Sequence, residues 1–142
     1  MRSMVRSILA VLAGLVTLTI VSFAIEAAVN PLLLHLLPSA FPDQNAIARS
    51  IPARLIMTLY TLLAVAAGGF VTSWIASRLK LRHAIIMGGL EAALTLYVMI
   101  AAPFPEARNA PRWGFIVAIV LMIPAAALGA RIQAGRSPIV SA

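Results

Sequence analysis

Glu91 is the residue whose type and position most invite chemistry. The 142-residue chain carries four Asp and Glu in all. This one falls inside an apolar run nine residues beyond Arg82, which is about 13 Å along a helix at ~1.5 Å per residue. An ionisable group at that depth of a bilayer is costly and normally turns away from lipid, so Glu91 is expected to point into a helix bundle. There it would serve either as a proton- or cation-binding carboxylate in a transport pathway or as a hydrogen-bond donor that fixes helix packing. The packing role is preferred, because a pathway normally shows more polar residues per helix than this chain supplies.

Counting inward to the same depth on neighbouring segments reaches Gly14, the pair Gly68 and Gly69, and Pro124, with Thr95 one turn beyond Glu91. The glycines allow close backbone approach. Pro124 leaves the carbonyl of Val120 without its helical donor, and Glu91 could donate to that oxygen or to Thr95, Thr72 or Tyr60. Gly14, Gly68, Gly69, Thr95 and Pro124 are therefore expected to form a midplane layer around Glu91.

Other candidates for chemistry are weaker. Glu26 falls within a turn of the end of an apolar run, where a structural pairing with Arg49 or Arg54 is the expectation. His35 and His83 stand apart from each other and from any carboxylate cluster, so no metal site is expected. The run Gly68-Gly69-Phe70-Val71-Thr72-Ser73 lacks the spacing and lysine of a phosphate loop. No Ser-His-acid constellation, no G-x-S-x-G and no paired carboxylates suggest an enzyme, so no catalytic residue is assigned and no cofactor is expected. With no cysteine there is no disulfide, thiolate metal site or thiol nucleophile.

The elements that must position these residues follow from composition. Hydrophobic residues make up 62% of the chain and charged ones 11%, and the mean hydropathy is +1.01. A soluble domain would be about half apolar and a quarter charged. The net charge of +7 would suggest nucleic acid in a soluble protein. Here the basic residues fall between apolar runs and read as topology signals, so the expected partner is the lipid bilayer and not nucleic acid.

Four stretches, 8–28, 55–75, 84–102 and 113–130, each supply the roughly 20 apolar residues that a helix needs to cross a bilayer core. The expected fold is all-α: one four-helix membrane domain over residues 1–142, an up-down bundle with an outer loop at 29–54 and a disordered tail at 132–142. In the loop, Asp43 has the position of an N-cap for a short helix leading to Arg49, and the apolar run Leu32 to Leu37 is too short to span. The first stretch is too long for a signal-peptide core and lacks a clean A-x-A site, so it reads as a retained helix.

Arg2, Arg6, Arg78, Lys80, Arg82, Arg131 and Arg136 fall on one side of this arrangement, against Arg49, Arg54, Arg108 and Arg112 on the other. The excess places both termini in the cytoplasm. Lys80 is the lone lysine, and arginine dominance with abundant alanine points to a bacterium and its inner membrane.

The run Gly68-Gly69-Phe70-Val71-Thr72-Ser73-Trp74-Ile75-Ala76-Ser77-Arg78 is followed by Phe104-Pro105, Pro111-Arg112-Trp113, and Pro124 through Leu128-Gly129-Ala130-Arg131. In these features the chain from Leu55 onward resembles a group of short bacterial four-helix membrane proteins, with Arg and Ala filling the stretch where an aromatic-rich segment would stand. The resemblance implies the architecture and no activity. Small multidrug-resistance transporters share the plan of four helices and a membrane glutamate. Their acid lies mid-membrane in the first helix, which neither Glu26 nor Glu91 matches, so no residue role is carried over.

The functional expectation is a small, non-enzymatic integral membrane protein, an accessory or packing subunit whose partners would be a second copy or another membrane protein. The alternative is a proton- or cation-coupled small-molecule transporter using Glu91, and the third is an enzyme acting on lipid.

Overall fold

The computed structural model describes residues 2–76 and 78–136, the side chains of residues 2, 3, 105 and 106 excepted. It is helical throughout, with no strand among the described residues. The order is α1 (Arg2–Leu36), α2 (Gln44–Arg49), α3 (Ile51–Ile75), α4 (Lys80–Ala101), α5 (Pro105–Asn109) and α6 (Arg112–Arg136). The long helices α1, α3, α4 and α6 are each long and apolar enough to cross a membrane. The chain is an all-α, multi-pass membrane protein built on a four-helix bundle.

Pro31 shifts an expected boundary, whereas Pro124 falls within the expected 113–130 span. Pro31 does not end the first span, because α1 continues through it to Leu36. A proline removes one N–H bond, and the apolar run that follows still hydrogen-bonds onward, with Leu37 N donating to Leu33 O at 3.0 Å. The expected loop at 29–54 is therefore helical at both ends, and only 37–43 and Ser50 separate α1, α2 and α3. Likewise α6 runs through Pro124 to Arg136. Residues 132–136 of the expected disordered tail are thus helical, anchored by the buried Gln133, and 137–142 lie outside the described residues.

Asp43 caps α2 through its carboxylate, which accepts from Ala46 N at 2.7 Å. Ser50 then serves two helices. Its N–H donates back to Ala46 O and Ile47 O, while its hydroxyl accepts from Ala53 N at 3.4 Å to open α3. α4 opens from Leu79, which sits at φ 49° and ψ 41°.

In the bundle α3 packs against α1, α4 and α6, and α4 packs against α1 and α6. Small residues set these approaches. A methyl group on Gly14 would strike Thr72, one on Gly69 or Gly129 would strike the backbone of Ala126 or Ala66, and one on Gly88 would crowd the Ala126 side chain. Without a hydrophobic driving force between helices in lipid, such close packing is what holds them together. Leu18, Val65, Met87 and Met122 fill the space between.

The two ends of the bundle differ. At one end, α2 and α5 form a cap: Arg49 Nη2 donates to Asn109 Oδ1 at 3.2 Å, and Asn109 Nδ2 to Asn45 Oδ1 at 2.9 Å. Ile47 is buried beneath the cap. The other end holds the last turn of α3 and the first turn of α4. There Ser73 Oγ donates to Gln133 Oε1 at 3.0 Å, Lys80 Nζ donates to the same oxygen at 3.5 Å, and Arg6 Nε donates to Ile75 O at 2.9 Å.

Candidate functional site

The first turns of α3 carry Arg54, Thr58 and Thr61 at i, i+4 and i+7, which places them on one helical face. That face turns toward a cavity of about 320 Å³ under the cap. Glu26 of α1, Tyr60 of α3, Thr95 of α4, Phe104 ahead of α5, and Phe115 and Met122 of α6 complete the walls that matter chemically.

Arg54 is the pinned element of this site. Its guanidinium carbon lies 4.1 Å from the centroid of the Phe115 ring, a cation–π stack. Its Nε is buried with no hydrogen-bond partner and presses against Gly114, where an added Cβ would collide with the Arg54 side chain. Glycine at 114 is therefore what lets the arginine lie flat against α6. A long cation near a helix end often snorkels to the membrane surface, but this one is stacked and half-buried inside the protein.

Tyr60, buried, lies within electrostatic reach of both Glu26 and Arg54. Arg54 and Tyr60 are six residues apart on one helix, about 9 Å of rise, so Arg54 marks the shallow part of the cavity and Tyr60 the deep part. Glu26 accepts from Asn30 Nδ2 at 3.4 Å, and Arg49 is engaged with Asn109 in the cap. The expected pairing of Glu26 with Arg49 or Arg54 is not what the structure shows. One turn of α1 supplies its partner instead, because Asn30 is four residues on and faces the same way. Thr58 donates to Arg54 O at 2.9 Å, and Thr95 donates to Met122 Sδ at 3.7 Å.

Glu91 is half-buried on the stripe of α4 that carries Ala84, Gly88 and Thr95, one turn below Thr95 and outside the cavity lining. The expected layer around it is only partly assembled. Gly14 meets Gly68 and Thr72, and Gly69 meets Ala126, as packing contacts between helices. Thr95 belongs to the cavity. Pro124 departs from the expected layer: it is exposed in a shallow groove with Leu59, Leu63 and Leu128, and Val120, whose carbonyl it was to free for Glu91, is exposed as well. The reason is rotational, since α6 turns Met122 and Ala126 inward and residues two positions away point out.

His35 is exposed, and His83 Nδ1 contacts Leu79 O at 3.0 Å. Among the described residues no group of three His, Cys, Asp or Glu could hold a metal ion. Sequence reasoning names Arg54 only as a topology charge and a partner for Glu26, and Tyr60 only as an acceptor for Glu91. The signal that would have found them is the Arg54-Thr58-Thr61 stripe on an otherwise apolar helix. In comparisons with known proteins the chain matches no family model, no curated protein and no solved structure.

Proposed function

We propose that the chain is a non-enzymatic multi-pass protein of the bacterial inner membrane that takes a small solute into the capped cavity, with its termini on the cytoplasmic side and the cap outside. The observation that carries this is the cavity itself: about 320 Å³ of space lined by a pinned guanidinium, a carboxyl group and hydroxyls, whereas the other grooves of similar volume on the bundle are lined mostly by apolar side chains. Pockets with apolar walls and a few convergent polar groups are the usual places for small ligands. Among the described residues the lining offers no histidine and no paired carboxylates, which favours binding over turnover. The orientation rests on the excess of Arg and Lys at the end opposite the cap.

An accessory role for a second copy or another membrane protein ranks below this reading. The small-residue contacts that such a role would use are spent within the bundle itself.

The chain's lack of cysteine makes the test direct. Thr61→Cys places a thiol in the cavity and Gln44→Cys one on the exposed cap. In right-side-out vesicles a membrane-impermeant maleimide is expected to label both, with Thr61→Cys slower, and to label neither rapidly from the cytoplasmic side. Labelling of Gln44→Cys with none at Thr61→Cys from either side would remove the solute site.

A further inference from the structure

We infer that the occupant of the cavity is a small organic anion, its carboxylate or phosphate head on Arg54 and a short apolar body along Phe115 and Phe104. This rests on the solute-site reading above and adds the ligand's charge and shape.

The sign of the ligand follows from the lining. A guanidinium stays protonated at any physiological pH, so a half-buried one needs an anionic complement or water. No described carboxylate fills that role, since no ion pair joins Arg54 to Glu26, whose carboxylate accepts from Asn30. Phe115 covers one face of the Arg54 guanidinium and Gly114 backs its Nε. The terminal nitrogens donate no hydrogen bond among the described residues and are not sealed from solvent, which leaves them to engage a ligand. Two parallel N–H donors on a rigid fork match the oxygens of a carboxylate or phosphate. The hydroxyls of Tyr60 and Thr61 add donors along the same wall.

The size of the ligand follows from the volume. At about 320 Å³ the cavity is near the lower end of the ~300–1,000 Å³ typical of ligand pockets. That suits one short chain or ring and excludes a diacyl body. Met57, Val98, Phe104 and Met122 provide its apolar contact. The same anionic head could come from a free acid in water or from a lipid whose headgroup alone enters.

The test uses the full chain in nanodiscs of zwitterionic lipid, with hexanoate as probe and hexanol and hexylamine as charge controls, read by calorimetry and by thermal unfolding. Hexanoate is expected to bind and raise Tm where hexanol and hexylamine do not. Arg54→Gln should weaken that binding by at least about tenfold, with Arg54→Lys between, because lysine lacks the fork. A parallel set of nanodiscs containing phosphatidate separates the sources: Arg54-dependent stabilisation by phosphatidate without hexanoate binding would assign the head to lipid. Equal effects of acid, alcohol and amine, or no effect of either anion, would overturn the inference. The comparison of the three probes on the unmodified chain decides the matter even if Arg54→Gln does not fold. A cavity that labels at Thr61→Cys yet binds neither anion would sink this inference alone.

Discussion

Gly69 and Gly89 are both glycines within long helices, yet a methyl group at the first would strike the backbone of Ala126, while at the second nothing lies within 4 Å. Gly69→Ala should therefore force α3 and α6 apart and destabilise by about 1–3 kcal/mol. Gly89→Ala should be neutral or stabilise by up to ~1 kcal/mol, since it removes backbone freedom from the unfolded chain. Thermal unfolding in detergent distinguishes them, and equal losses would mean that the α3–α6 contact is not set by backbone approach. Glu91 accepts and donates no hydrogen bond to a described residue, so Glu91→Gln is expected to leave the unfolding free energy within about 0.5 kcal/mol of the parent, as for sites without specific interactions. A large drop would restore the packing role that the sequence suggests. At this scale the depth of Glu91 and the closeness of Gly14, Gly68 and Gly69 to other helices were legible, because both depend on counting along one helix. The flat seat of Arg54 was not, because it depends on a glycine and a phenylalanine that α6 delivers from sixty residues away.

At the scale of elements, the short helix α2 depends on its cap. Asp43→Ala removes the bond to Ala46 N and should cost about 1 kcal/mol. Because α2 is only six residues long, that loss should loosen the cap and speed maleimide labelling of Thr61→Cys without changing labelling of Gln44→Cys. An unchanged rate at Thr61→Cys would show that α2 does not guard the cavity. Ala102 closes α4 at φ 40° and ψ 58°, a left-handed conformation that costs a non-glycine residue roughly 1 kcal/mol. Ala102→Gly should thus raise the unfolding temperature, and a fall would mean that the residue's other contacts outweigh its backbone strain. The capping role of Asp43 was readable from residue type and spacing. The passage of α6 through Pro124 was readable too, since the 113–130 stretch already spans it, but that of α1 through Pro31 was not, because a proline removes only one bond and the helix on either side keeps the rest.

At the scale of the whole molecule, four helices long and apolar enough to cross a membrane fix the architecture and leave its direction to be measured. A fluorescent reporter fused after residue 142 should glow in bacterial cells, and a periplasm-dependent phosphatase fused there should be inactive. The reverse pattern would invert the proposed orientation and put the cap inside. The 35-residue α1 is about 52 Å long at ~1.5 Å per residue, well beyond a ~30 Å hydrocarbon core. It must tilt strongly or carry its final turns out of the bilayer.

The bridge between Asn45 and Asn109 joins positions 64 residues apart, and the pocket below it takes walls from α1, α3, α4 and α6. During synthesis, then, the chamber cannot exist when the first hairpin enters the bilayer. It is finished only when the last helix arrives and lays Gly114 and Phe115 against Arg54, so a nascent chain stalled before that point would be a membrane-embedded protein with nowhere to hold a guest.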